Sequence, residues 1–233
     1  MGRNKTKADD NGREQTPIAE KRRAQIISTA VQLFAERGYF QTTIEDISNA
    51  IGIGKGLIYR YFKDKNDVLY CALCAVLDIY RRENVVQMID SLGPLAALRR
   101  ILELNCTMAE QHTQEVILAY RSSKDLTPEE RLGIKRIESE IVAEIEQCLW
   151  ACMDAGLMQP LDARIMAYQY IMLGHTWALK RWALHDSYSM AAFLAEGEQL
   201  LIRPFLTAAG KRKFAALEAS RPARKTAVRT GAR

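Results

Sequence analysis

At 233 residues, the chain is long enough to bury a proper core in one large domain or two small ones, and 48% hydrophobic with 26% charged residues is ordinary for a globular protein. No run of about 18 apolar residues occurs, which argues against a membrane-spanning helix, and the opening "MGRNKTKADDNGREQT" lacks the apolar centre of a signal peptide, so the expected location is cytoplasmic. The net charge of +5 is uneven: residues 1–65 hold 12 Lys and Arg against 8 Asp and Glu, residues 66–203 hold 13 against 19, and residues 204–233 hold 8 against 1, a pattern that suits nucleic-acid contact at one end of the molecule.

Helical periodicity runs throughout and strand signals are nearly absent, so the expected class is all-α. Residues 1–15 are polar without periodicity and are expected to form a mobile basic arm. Thr16-Pro17 then reads as an N-cap followed by proline at the first helical position. Ile26, Ile27, Ala30, Val31, Leu33 and Phe34 make one apolar face, which Gly38 closes. Thr43 caps a second helix that points Ile44, Ile47 and Ile51 inward, with Asp46 at the capping-box position, and Gly52 ends it after about two turns. Gly52-Ile53-Gly54 is a tight corner, and the helix expected from Lys55 to Phe62 buries Ile58 and Phe62 at i, i+4. Its other side carries Lys55, Leu57, Tyr59, Arg60 and Tyr61, and Gly56 leaves the first turn bare for a close approach. Two short helices about a glycine turn, the second polar outside, form a helix-turn-helix, whose cations and phenols reach phosphates or base edges. The bland alternative is a three-helix subdomain with a solvated face.

The stretch "FAERGYFQTTIEDISNAIGIGKGLIYRYFKDKNDVL", Phe34 to Leu69, resembles the reader domain of the tetracycline-repressor (TetR) family of bacterial transcription regulators. Gly38, Thr42, Thr43, Ile47, Gly52, Gly56, Ile58, Tyr59, Tyr61, Phe62, Lys65 and Leu69 carry the likeness. Four positions depart from the usual pattern: Ser48 and Ile51 stand in place of Ala, Gly54 in place of Ser and Leu57 in place of Thr. The resemblance implies a three-helix DNA-binding domain over residues 16–65 and a helical effector-binding and dimerisation domain over residues 66–207. It also implies DNA contacts from Thr42, Thr43, Lys55, Gly56, Leu57, Tyr59, Arg60, Tyr61 and Lys65. Among these, Lys65, Tyr59 and Tyr61 are expected on phosphates, and Lys55 and Leu57 on bases, Leu57 suiting a thymine methyl.

Beyond the reader, one long helix is expected from Asn66 toward Ser91, linking reader to sensor in the resemblance, with Gly93-Pro94 ending it. Further helices follow from Pro94 to about His112, Glu115 to Arg121, Thr127 (a capping box with Glu130) to about Ala155, Asp162 to about Ala183, and Met190 to about Thr207. The last two are expected to pair with their copies in a homodimer. Residues 208–233 turn abruptly to Ala, Arg and Lys and are expected to be a disordered basic tail, either attracting DNA or merely solvated.

"LAYRSSKDLTPEE" and "GHTWALKRWAL" set Arg121, Lys124, Lys180 and Arg181 beside Tyr120, Trp177 and Trp182. Such a combination suits a ligand with an apolar body and an anionic end, and both stretches are similar to those of family members that respond to acyl-coenzyme A thioesters. The candidate effector residues are Tyr120, Arg121, His175, Trp177 and Arg181, with plain core packing as the alternative for the aromatics and for His175. Three histidines without a partnered Ser, Cys or carboxylate, and no phosphate-binding glycine loop, argue against an enzyme or a bound cofactor. Cys71/Cys74 and Cys148/Cys152 share helix faces without a neighbouring His and read as small hydrophobes rather than metal ligands. The expected function is a ligand-responsive regulator, acting as a repressor on a palindromic operator. An architectural DNA-binding protein without effector is the alternative, and an internal cavity discriminates the two.

Overall fold

The computed structural model of the chain describes residues 17–81 and 84–220; the expected basic arm, the Thr16 cap and the end of the tail lie outside them. The described residues form twelve α-helices and no β-strand, with a single isolated bridge between Met158 and Leu206. The first four helices are α1 (Pro17–Arg37), α2 (Ile44–Ile51), α3 (Lys55–Ile58) and α4 (Lys65–Tyr80), and the body follows with α5 (Val85–Leu92), α6 (Pro94–Gln111), α7 (Thr113–Ser122) and α8 (Pro128–Asp154). The chain closes with α9 (Ala163–Leu179), α10 (Arg181–Leu184), α11 (Met190–Leu201) and α12 (Ala208–Ala219).

Local chemistry accounts for most boundaries. Thr43 and Asp46 exchange backbone bonds in a capping box at 2.8 and 3.1 Å, and Thr127 and Glu130 do the same at the head of α8. Gly52 ends α2 at φ 74°, a left-handed conformation that only glycine adopts without strain. The long helix expected from residue 66 to 91 is two helices. Asn84 takes an extended conformation and its side chain accepts from Gln87 N at 3.0 Å, so it starts α5 instead of continuing α4. The helix expected from Met190 to Thr207 stops at Leu201, because Pro204 has no N–H to donate to the carbonyl of Leu200, and a 3₁₀ turn, Arg203–Phe205, follows. The segment expected to run to Ala183 breaks at Lys180 into α9 and the short α10.

The reader and the body share apolar packing. One core joins Ile26, Phe34, Ile47, Ile58 and Phe62 of the first three helices and their turns to Leu69 and Leu73 of α4, and it includes Leu118 of α7 and Leu126. A second core fills the body, where α6, α8 and α9 meet through Leu98, Leu102, Val142, Leu149, Ala167 and Tyr170. Gly174 lets α9 close on α6, since a Cβ there would lie 2.8 Å from the Asn105 carbonyl oxygen.

The expectation of a disordered tail from residue 208 is wrong for its first part. Thr207 caps α12 by accepting from Gly210 N at 3.1 Å, and Gly210 allows a contact with the Leu157 carbonyl that no side chain would fit. Phe214 is 1% exposed, with the Arg99 guanidinium 5.1 Å and that of Arg203 4.7 Å from its ring centre. Arg99 in turn makes a buried two-pronged pair with Glu198 at 2.6 and 3.1 Å, tying α6, α11 and α12 together. The Ala, Arg and Lys composition hid one phenylalanine placed where a pocket awaits it. Phe214→Ala is expected to lower the unfolding free energy by about 3–5 kcal/mol in chemical denaturation, whereas a disordered tail would show no change.

Candidate nucleic-acid interface and effector cavity

The reader is built around a turn and a very short third helix. α3 spans one turn, with Gly54 at its N-cap offering no side chain to hold it. Beyond Ile58 the chain continues in hydrogen-bonded turns, Tyr61 N to Ile58 O at 2.9 Å and Phe62 N to Ile58 O at 3.0 Å, so the segment expected as one helix from Lys55 to Phe62 is helical only in its first half. The sidedness is nevertheless as expected. Ile58 and Phe62 are completely buried, while Lys55, Gly56, Tyr59 and Arg60 are exposed and Leu57 and Tyr61 are half-buried. A Cβ built on Gly56 meets nothing within 4 Å, which leaves this backbone open to an incoming surface.

Two of the residues expected on DNA are turned inward. Thr42 is completely buried, and its hydroxyl donates to the carbonyls of Leu33 at 3.2 Å and Gly38 at 2.9 Å. The Lys65 ammonium donates to the carbonyls of Tyr39 at 2.9 Å and Thr42 at 3.0 Å, with that of Phe40 at 3.5 Å, and lies 4.3 Å from the centre of the Tyr39 ring. Burial lowers its pKa, opposed by Asp125. The Tyr39 hydroxyl donates to Asn66 Oδ1. Both side chains therefore hold the loop between α1 and α2, and the phosphate role expected for Lys65 conflicts with three carbonyls already using its protons. Thr43 remains at the surface as the cap of α2, its carboxylate partner Asp46 held at a lowered pKa chiefly by the Thr43 side-chain hydrogen bond.

In the body, a cavity of about 310 Å³ lies between α4, α7, α8 and α9. Leu73, Val76, Leu77, Val116, Leu126 and Ile134 form its apolar walls, and Tyr80, Tyr120, Arg131, Lys135, Glu138 and His175 its polar ones. A second chamber of about 140 Å³ adjoins it, lined in common by Leu77, Tyr80, Tyr120, Glu138 and His175 and extended by Ile141, Val142, Tyr168, Ile171 and Met172. Of the residues expected at an effector site, Tyr120 and His175 both line these chambers, and their side chains meet at 3.0 Å from hydroxyl to Nδ1. Burial pushes the His175 pKa down to about 4 and raises that of the Tyr120 phenol. The carboxyl of Glu138 is also raised by burial, with Lys135 opposing.

The other three expected effector residues lie elsewhere. Trp177 is 2% exposed in a separate cluster with Cys106, Phe193 and Leu194, its ring 5.0 Å from that of Phe193. Arg181 stands exposed on α10, next to Trp182, which is 80% exposed. The break at Lys180 defeats the spacing argument, because four residues across a broken helix no longer share a face. Arg121 lies on the opposite side of α7, lining a different cavity of about 190 Å³ against Phe34, Tyr39 and Phe40 of the reader. The cations that do line this cavity, Arg131 and Lys135, sit in the charged first half of α8, where no aromatic stands beside them to draw attention; Arg131 also donates to the carbonyl of Leu126 at 2.7 Å. Among the described residues no group of three His, Cys, Asp or Glu side chains is placed to hold a metal ion, and the cysteines are free, three of them fully buried. No helix of the described residues is long and apolar enough to cross a membrane.

A helix-turn-helix with an exposed polar second element, set on a helical body that holds a half-open cavity, is the plan of a DNA-binding regulator. Residues 26–70 match the family described as bacterial regulatory proteins, tetR family. The chain is 40% identical over 198 residues to the HTH-type transcriptional regulator HbdR of Aromatoleum sp. (strain CIB), covering 85% of this chain and 86% of that protein. It belongs to the TetR family of DNA-binding transcriptional regulators, and its relatives are named as regulators rather than enzymes. Solved structures share the fold: a TetR-family regulatory protein of Rhodococcus RHA1 superposes with a TM-score of 0.69 at 20% identity, over 83% of this chain and all of that one. AibR, in a complex with isovaleryl coenzyme A and operator DNA, superposes with a TM-score of 0.68 at 22% identity, over 79% of this chain and all of that one.

Two outcomes are expected from the geometry of these sites. Lys65→Met leaves partly buried carbonyls without their donor and should cost about 1 kcal/mol of stability by denaturant titration in the absence of DNA; a purely phosphate-binding lysine would leave the free protein unchanged. For His175, the folded pKa of about 4 lies below the ordinary 6.5, so the unfolded chain binds more protons between these values. Its contribution to stability is therefore complete above about pH 6.5 and is lost as the pH falls toward 4. Wild type should lose stability relative to His175→Phe across that window in urea unfolding.

Proposed function

We propose that the protein is a ligand-responsive repressor that binds a near-palindromic operator as a homodimer and is released by a small effector with an apolar body and an anionic end, of the acyl-thioester kind. The single observation that carries the effector half is the cavity between α4, α7, α8 and α9, which an architectural DNA-binding protein has no use for. AibR, similar in fold, is bound to both an acyl-coenzyme A and its operator, which supports the same pairing of ligands here. The anionic end goes to Arg131 and Lys135, replacing Arg121 and Arg181.

Dimerisation through α9 and α11 is supported by apolar side chains left open on them: Ile165 and Leu200 are each 62% exposed, and Tyr168 and Met172 continue the α9 stripe at 43% and 40%. On DNA, Lys55 and Leu57 read bases in the major groove while Tyr59, Tyr61 and Arg60 hold phosphates, with Gly56 permitting the close approach and Thr43 capping beside it. The signal passes through α7. Val116, Ala119, Tyr120 and Ser123 face the effector cavity, whereas Leu118 and Ser122, on the other side, face the reader. An effector that displaces α7 must then change how the reader sits, and a coupling of about 1–3 kcal/mol is enough for a useful switch.

The test is a mobility-shift assay on the DNA upstream of the protein's own gene, with and without acyl-coenzyme A thioesters. Lys55→Ala is expected to relax base preference at particular positions by about 1–3 kcal/mol. Lys135→Glu is expected to bind operator as wild type does but to resist release. A monomer at concentrations that saturate the operator, or undiminished release of Lys135→Glu, would overturn the corresponding part.

A further inference from the structure

The smaller chamber is half-open, and its inner and outer walls differ in exposure. Ile141 and Val142 of α8 are buried at its inner wall, whereas Tyr120, Tyr168 and Met172 are 49, 43 and 40% exposed and form its rim. That rim is a seam between α7 and α9. The Tyr120 hydroxyl lies 3.4 Å from the Met172 sulfur and 3.0 Å from His175 Nδ1, and the Tyr120 and His175 rings meet edge to face at 5.6 Å.

Two of the rim residues also belong to the outer face of α9. Ile165, Tyr168 and Met172 recur at i, i+3 and i+7, the spacing of one helix face, and Ile165 is exposed without lining either chamber. α11 packs on the other flank of α9, where Gly197 meets Leu173 with no room for a Cβ, and it carries the exposed Leu200. From Ile165 to Leu179, α9 holds no Asp, Glu, Lys or Arg. A face that meets its own copy across a twofold axis sets like charges against one another, so an uncharged stripe suits a second copy of this chain. Because Tyr168 and Met172 lie in both features, a copy laid along the stripe reaches the rim of the chamber as well.

We infer that the effector site is completed by the partner subunit, which supplies the missing outer wall of the smaller chamber over Tyr120, Tyr168 and Met172. This rests on the homodimer through α9 and α11 proposed above and goes beyond it. An apolar group in the chamber is then shielded from water only in the dimer, so ligand binding and dimerisation strengthen one another by the same factor. The rim also includes α7, the helix that faces the reader through Leu118, so one ligand contact bears on both protomers and on the reader.

The probe is benzene, since the smaller chamber of about 140 Å³ is close to the size of an apolar cavity, about 150 Å³, that takes it up. Binding is read from the Met172 methyl signal by NMR in the full chain and in Leu200→Arg. This variant sets like charges across the twofold axis at a position that lines neither chamber. Sedimentation gives the oligomeric state of each. The expected result is a dimeric wild type that binds benzene about tenfold more tightly than the monomeric variant, the worth of about 55 Å² of further apolar burial. With two sites per dimer, saturating benzene should lower the dimer dissociation constant by about a hundredfold. That constant, measured on wild type alone, decides the matter if the variant misfolds or stays dimeric. A dimer whose dissociation constant is unmoved by benzene, equal affinity in dimer and monomer, or no benzene at Met172 would each overturn the inference while the homodimer stands. A wild type that remains monomeric at concentrations that saturate the operator would overturn both.

Discussion

Everything in this molecule depends on the reader having no core of its own that ends where the reader ends. The apolar cluster that seats Ile47, Ile58 and Phe62 runs without interruption into Leu69 and Leu73 of α4 and is closed from the far side by Leu118 and Leu126. A division of the sequence at residue 65 therefore cuts through packed side chains rather than through a linker. Close-packed interiors transmit small displacements instead of absorbing them, which is the physical basis of the coupling proposed between body and reader.

The same constraint explains why polar residues near the junction are structural. Lys65 and Thr42 are drawn toward carbonyls that the loop between α1 and α2 would otherwise leave bare, because that loop is pressed between the reader core and α7. Arg23 does comparable work one layer away, donating to the Cys71 sulfur at 2.9 Å with its guanidinium 5.4 Å from the Phe62 ring centre. Of the residues proposed to contact DNA, Lys55, Gly56, Tyr59 and Arg60 remain exposed on the third element. At the opposite end the buried Arg99–Glu198 pair and Phe214 lock α12 onto α6 and α11, so the body is closed by side chains from three distant stretches of the chain.

Much of the reader was legible in the sequence because its determinants are local. A capping box needs residues three apart, a left-handed helix end needs glycine, and a buried face needs i, i+4 spacing; Thr43 with Asp46, Gly52, and Ile58 with Phe62 meet these conditions. The all-α class and the starts of α6 and α8 followed from the same local chemistry. Of the cavity proposed for the effector, the sequence pointed only to Tyr120 and His175. Proximity of aromatics and cations along the chain selected Trp177 and Arg181, but one packs into a separate core and the other lies past a helix break.

Sequence by itself determined what nearest neighbours decide: helix faces, caps, the glycine corner, and through them membership in a family of DNA-binding regulators. Tertiary structure alone decided which side chains share a space. Arg131, Lys135 and Glu138 of α8 meet Tyr80 of α4 and His175 of α9 around one cavity because three helices distant in sequence pack side by side, and no spacing rule spans such separations. It also decided which polar groups are free. Whether an ammonium such as that of Lys65 is offered to a phosphate or consumed by carbonyls depends on which backbone the fold brings beside it, and the residue type is silent on that.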